Sequence, residues 1–496
     1  MNFQDLQTYI DKRQALNQAL TLFSWDQETE APEKSMALTA KSVGLLSGEL
    51  FKTITDPKVK EILLDLEKQE LTISQKAIVK KWLKDIRDLE KIPAQKYQEH
   101  QERLMIAQRV WQKAKLENNY QLFMPYLKEI VATEKEFAQY RKTNEACLYD
   151  VVLEDYEPGF HVEQLDEFFN QLKEHIVPLL KEIQASPIKI DKEYNYKHYS
   201  LNKQKEFNRW LAGYVGFDFK KGVIKESEHP FTTEFHNHDV RITTHYYKNN
   251  LESALFSTIH ESGHAIYEMN IDDDITMTPV GSGASMGMHE SQSRFYENII
   301  GRSEEFWKPV YPRLQTFFAD NLEEVSLEQF VQGINKVEAS LIRTEADELT
   351  YPLHIMIRYE LEKKMFAGEV DFEQLPQLWN QLYQEYLGIT PQNDSEGILQ
   401  DIHWAGGSFG YFPSYALGSA IAAQIYAHMQ KITAVADWVE SGDFQVLKKY
   451  LQEYIHQYGA IYQTNELLEK LTGEKFNPKY YIEYLTNKFT KLYHLR

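Results

Sequence analysis

The chain has 496 residues, 43% of them hydrophobic and 13% aromatic, enough for a sizeable packed core; its 54 lysines and arginines stand against 74 aspartates and glutamates, a formal net charge of −20. That acidity, without basic blocks, argues against nucleic acid or an anionic membrane as partner. A single cysteine, Cys147, allows no internal disulfide; no stretch reaches the roughly 18 apolar residues of a membrane span, and the start MNFQDLQTYIDKRQ lacks a signal peptide's pattern, so a soluble cytoplasmic protein is expected.

Residues 3–185 read as successive helices. Apolar residues recur at three- and four-residue spacing over 3–23, 37–53 and 74–89, with polar faces between. Residues 93–143 predict one or two long amphipathic helices, with Asn118-Asn119 as the break and Pro125 near a start. Their Lys- and Glu-rich faces read as solvated surface. Another helix covers 168–183 and ends near Ser186-Pro187; after a short connector, helical patterning resumes by Lys203. Residues 231–235 and 239–244 are β-prone and are separated by His236-Asn237-His238, which predicts a hairpin. An isolated hairpin is marginal, so this one should pack against the helix that follows.

That helix, residues 255–269, reads LFSTIHESGHAIYEM and contains His260, Glu261 and His264 as H-E-x-x-H. Two imidazoles four residues apart lie on one helix face and can share a tetrahedral metal, with Glu261 beside it to activate a water. Apolar flanks and the absence of proline from 250 to 278 support the helix. Catalytic zinc usually takes a third protein ligand. Asn270, six residues after His264, rules out the three-histidine pattern. Glu268 lies about 12 Å along the axis from His260, too far to share its metal. The third ligand must therefore come from another element. A glycine-rich loop, residues 281–287, leads into a predicted helix over 289–298 closed by Gly301, with Glu290 in its first turn; the alternative for Glu290 is an ordinary N-terminal acid favoured by the helix dipole.

Helices return after Arg302, at 326–350, stopped by Tyr351-Pro352, and then at 353–366, 372–386, 414–428 and 444–456. Within the first of these, Arg343 reads either as half of an Arg343–Asp347 pair four residues apart or as a planar fork for a carboxylate. Many helices and one small sheet predict a mainly α chain: a single large helical domain over 1–496 with a β-hairpin beside the metal helix.

The run from Gly281 to Ser303, GSGASMGMHESQSRFYENIIGRS, is similar to the carboxypeptidase Taq family of zinc metallocarboxypeptidases. So are H-P-F-T from His229, D-V-R-I-T-T from Asp239, I-R-T-E-A-D from Ile342 and G-I-L-Q-D-I-H-W from Gly397. Weaker echoes at Trp25-Asp26, Tyr149-Asp150 and Tyr156-Glu157-Pro158-Gly159 extend the resemblance over nearly the whole chain. The resemblance implies a deep groove with zinc at its floor, residues 1–200 forming part of its wall and 201–496 carrying the metal and substrate site. It implies Glu290 as the third ligand beside His260 and His264, one zinc per chain with cobalt able to substitute, and Glu261 as general base. It favours Arg343 as the carboxylate-binding residue and His403 as a neighbouring contact, whereas Arg241 either touches substrate or braces the groove wall. Tyr411 and Tyr415, around Gly406-Gly407 and Gly410, join His403 as candidates to share the charge of the tetrahedral intermediate. His289 is read as orienting its neighbour Glu290. The wider group of glutamate-ligand zinc peptidases carries an aspartate four residues after the third ligand; Arg294 stands there, so the partners of the histidines are unassigned.

The implied activity is release of single C-terminal residues other than proline from peptides with a free C-terminus, by a homodimer. Two alternatives stay open: a zinc oligopeptidase or dipeptidyl carboxypeptidase, and a non-catalytic helical peptide-binding protein.

Overall fold

A computed structural model describes residues 1–495, with the side chains of Glu33, Met36 and Ala37 left out. Helices dominate it, with one three-stranded sheet, as the hydrophobic periodicity predicts. The first three predicted helices form as Gln4–Thr29, Met36–Ile54 and Ile73–Glu90. The amphipathic stretch after Pro93 is two helices, Ala94–Leu116 and Tyr120–Arg141. Asn118 makes the break at a φ of 50°, and the Asn119 side chain then caps the second helix by accepting from the Gln121 backbone N–H. Among the described residues no helix is long and apolar enough to cross a membrane.

The chain divides into two compact, discontinuous units. The first comprises 1–89, 190–334 and 421–476; the second comprises 90–189, 335–420 and the residues from 477 onward. In the first, Leu6, Ile10, Val59, Leu63 and Trp82 pack with Ile271 and Val280 in one core. A second core joins the sheet to the metal helix: Val240 and Ile242 meet Ala265 and Met269.

The sheet has the order β1 (Gly222–Glu226), β3 (Asp239–Thr244), β2 (Thr232–His236). β2 and β3 form the predicted antiparallel hairpin, with His236 paired to Asp239 and Asn237-His238 as its turn. Asn237 ties this turn to the segment after the metal helix, donating from its side chain to the Ile271 carbonyl at 2.8 Å and from its backbone to Thr276 Oγ1 at 2.8 Å. β1, parallel to β3, is not apparent in the sequence, because GVIKE has neither length nor clean alternation.

One expected helix does not form. Of 326–350, only Leu327–Ile334 is α-helical, and a single 3₁₀ turn follows at Arg343–Glu345; the next helix, expected over 353–366, runs Tyr351–Ala367 with Pro352 in its first turn. Asp347 accounts for the difference. Its carboxylate accepts from the backbone N–H groups of Glu338, Leu349 and Thr350 and from the Thr350 hydroxyl, satisfying donors that a helix would otherwise pair.

Candidate active site

The metal helix runs Leu251–Met269 and is capped by Asn250, whose side chain accepts from the Ser253 N–H at 3.2 Å. A second helix, Met286–Arg294, begins at Ser285, whose hydroxyl accepts from the Met288 N–H at 3.0 Å. The two cross in backbone contact at Gly263, inside the H-E-S-G-H run. A Cβ there would lie 2.7 Å from both the Gln292 carbonyl oxygen and the Ser293 Cα. The missing side chain is therefore what brings Glu290 over the two histidines.

His260, His264 and Glu290 each turn one donor atom inward, and these atoms all lie within 4.8 Å of one another. Glu290 Oε2 is 3.6 Å from His260 Nε2 and 3.2 Å from His264 Nε2. Two donors held about 2.0–2.1 Å from one tetrahedral ion are about 3.3 Å apart, so this donor set fits a divalent metal. Glu261, a residue along, accepts at Oε2 from the Thr232 hydroxyl on β2 at 2.6 Å. Burial pushes the Glu261 carboxyl up, opposed by His260 and by Thr232.

The partners left unassigned by the sequence are defined here. His260 Nδ1 donates to Glu297 Oε2 at 2.8 Å. Glu297 lies in a π-helical turn, Phe295–Ile300, that continues the Met286–Arg294 helix; such turns recur at functional sites. Burial would push Glu297 up, but Arg294, His260 and Arg302 hold it near 2. Arg294, in place of the aspartate of the wider group, bonds Glu290 Oε1 at 2.7 Å and Glu297 Oε2 at 2.9 Å. Burial raises Glu290 too, and Arg294 and the two histidines outweigh it, keeping the carboxylate charged. His289 does not orient Glu290 as expected: its ring faces His264, Nδ1 to Nδ1 at 2.5 Å, and its Nε2 meets Glu268 Oε1 at 2.8 Å.

Arg241, on β3, is engaged by Asp239 of its own strand, with Nε to Oδ1 at 2.8 Å and a terminal nitrogen to Oδ2 at 2.7 Å, and it lies over Phe235 and Trp25. All of these groups belong to the first unit.

The second unit gathers Arg343, His403, Tyr411 and Tyr415. Arg343 does not pair with Asp347; it is 7% exposed and bonds Asp401 Oδ1 through Nε at 3.0 Å and through a terminal nitrogen at 2.9 Å. Arg358, which the sequence reading does not single out, holds Asp401 Oδ2 at 2.7 Å. Two buried guanidiniums thus share one carboxylate, and the cluster carries a net positive charge. Despite burial, the two arginines keep Asp401 well below the ordinary carboxylate range. His403 Nε2 is 3.2 Å from the Tyr415 hydroxyl, and the Tyr411 ring packs at 5.5 Å. Burial pushes His403 down to about 4, aided by Arg343 and Arg358, so the imidazole is neutral at pH 7. Glu362 anchors this loop from beneath, accepting from the Trp404 indole N–H at 2.7 Å and the Gly410 backbone N–H at 2.9 Å.

Residues 5–489 match the family model for carboxypeptidase Taq (M32) metallopeptidase. The chain is 44% identical over 480 residues to carboxypeptidase 1 of Bacillus subtilis (strain 168), covering 96% of each. It is 37% identical over 488 residues to thermostable carboxypeptidase 1 of Thermus thermophilus, covering 95% of each. The crystal structure of the M32 carboxypeptidase from Deinococcus radiodurans R1 superposes with a TM-score of 0.96 at 31% identity, covering 99% of both chains. With the match running from end to end in sequence and in fold, this chain belongs to the carboxypeptidase Taq (M32) family of metallopeptidases and is a peptide-bond hydrolase.

Proposed function

We propose that the chain is a zinc carboxypeptidase that removes single residues from the free C-terminus of peptides, with His260, His264 and Glu290 as its metal ligands. The observation carrying this reading is the convergence of those three donors beside Glu261, which the Thr232 hydroxyl holds. When bound, zinc supplies a Lewis acid and lowers the pKa of a water it holds. Thr232 anchors Glu261 Oε2, so Oε1 takes the proton of the attacking water and passes it to the leaving amine. Tyr411, Tyr415 and the neutral His403 are the donors offered to the developing oxyanion. Arg343 takes the terminal carboxylate, supported by the surplus positive charge of the Arg343–Asp401–Arg358 cluster. A final proline resists release, because its tertiary amide has no N–H and a constrained φ.

Mass spectrometry of a ten-residue peptide under digestion tests the direction of cleavage. A ladder shortening one C-terminal residue at a time, abolished by chelator and restored by zinc, is expected. Internal fragments appearing first would replace this reading with an oligopeptidase; zinc binding without turnover would leave a peptide-binding protein.

A further inference from the structure

We infer that His289 and Glu268 are positioning residues that set which ring nitrogen of His264 carries its proton. The inference rests on the proposed role of His264 as a metal ligand. The His264 and His289 Nδ1 atoms are 2.5 Å apart, which requires one proton between them: two would clash and none would leave two lone pairs opposed. The far side of the His289 ring decides where that proton resides. Its Nε2 lies 2.8 Å from Oε1 of Glu268, a residue 2% exposed that also accepts at Oε1 from the Gly283 backbone N–H at 2.9 Å. A carboxylate oxygen can only accept, so His289 Nε2 carries a proton, and in the neutral imidazole this leaves Nδ1 as an acceptor. His264 then donates from Nδ1, which leaves its Nε2 lone pair for the metal it is proposed to share with Glu290, the state that ligation requires.

The glycine-rich loop has a part in this. A Cβ on Gly283 would lie 2.7 Å from His289 Cδ2 and 3.0 Å from the Tyr267 ring, so only glycine leaves room for the His289 imidazole. The two metal-facing histidines are thus held by different devices. His260 donates directly to a carboxylate, whereas His264 reaches one through an intervening imidazole, and that carboxylate stands four residues further along its own helix.

Zinc affinity, measured by competition against a chromophoric chelator, tests the relay. His289→Phe and Glu268→Ala should each weaken zinc about 10–100-fold. Glu268→Gln, which keeps an acceptor oxygen, should recover most of the loss. The double variant His289→Phe/Glu268→Ala should bind no more weakly than His289→Phe alone, because the two links act in series. Wild-type affinity in His289→Phe, with zinc lost in His264→Ala, overturns the relay while leaving the metal site intact. Wild-type affinity in His264→Ala overturns the ligand assignment and the relay with it. Where His289→Phe does not fold, the ¹⁵N-histidine spectrum of the zinc-loaded wild-type protein decides: His289 protonated on Nε2 with a bare Nδ1 is expected, and a proton on Nδ1 overturns the inference.

Discussion

Thr232 donates its hydroxyl to Glu261 Oε2 at 2.6 Å and approaches the Glu261 carbonyl oxygen at 3.2 Å, so one residue of β2 fixes both ends of the proposed general base. A hydrogen bond to a charged group is worth about 1.5–3 kcal/mol, of which only the part that differs between ground and transition states affects rate. Thr232→Val should therefore lower kcat roughly 10-fold with zinc affinity and KM little changed, and Thr232→Ser should restore it. An unchanged kcat in Thr232→Val would show that the hydroxyl does not aim the base.

Glu261→Gln keeps shape and removes the proton acceptor. General-base help is typically worth 10²–10⁴-fold, so turnover should fall by about that factor while zinc content and melting temperature stay near wild type. A variant retaining more than about a tenth of the activity would assign the base elsewhere.

Gly263→Ala sets two effects against each other. Alanine is the better helix former by about 1 kcal/mol, yet its Cβ would meet the Gln292 carbonyl and Ser293 Cα at 2.7 Å, both backbone atoms that cannot swing aside. Overpacking of this kind costs typically 1–3 kcal/mol, and here it pushes the Glu290 helix off the histidines. Both thermal stability and zinc affinity should drop; a gain in stability with unchanged affinity would show that the helices can part without consequence for the site.

The face that carries the proposed metal ligands is legible in the sequence because it is local. His260 and His264 align by spacing alone, and Arg294 and Glu297, four and seven residues after Glu290, share its helix face by the same rule. That rule does not say which helix they meet. Gly263 settles the crossing, and a glycine inside a helix reads as a weak position rather than a point of contact. Arg343 and Arg358 reach Asp401 across 58 and 43 residues, a separation no periodicity encodes. The helix expected over 326–350 rests on apolar spacing that Phe330, Ile334 and Val337 do bury, but the backbone donors gathered by Asp347 leave no trace in that spacing.

Glu362 gives a pH dependence. Burial lifts its carboxyl from 4.5 to about 7, opposed by donors from Tyr149, Gly410 and Trp404. A raised native pKa means that the folded state binds the proton more tightly. The resulting stabilisation is fully present below about 4.5 and is lost as pH rises through 7, roughly 3 kcal/mol in all. Glu362→Gln lacks this term. Its apparent melting temperature, compared with wild type at one scan rate, should gain on wild type between pH 5 and pH 8. A constant difference across that range would show that Glu362 does not titrate there.

The proposed direction of cleavage turns on Arg343. Its guanidinium is buried, held by Asp401 and by the Tyr351 hydroxyl at 3.1 Å, and its positive charge is only half offset because Asp401 also serves Arg358. If this group takes the terminal carboxylate, amidating the peptide deletes a charge-assisted hydrogen bond, about 1.5–3 kcal/mol, or roughly 10–100-fold in kcat/KM. Arg343→Ala should cost at least as much on free-acid peptides, since it also strips Asp401 of one partner, yet cost amidated peptides far less, because the two changes remove the same contact. Asp401→Asn separates recognition from support: it leaves the arginine in place but relaxes its aim, so kcat/KM on free acids should fall while the preference for acid over amide persists. Equal penalties for Arg343→Ala on acid and amide substrates would move the carboxylate contact away from Arg343.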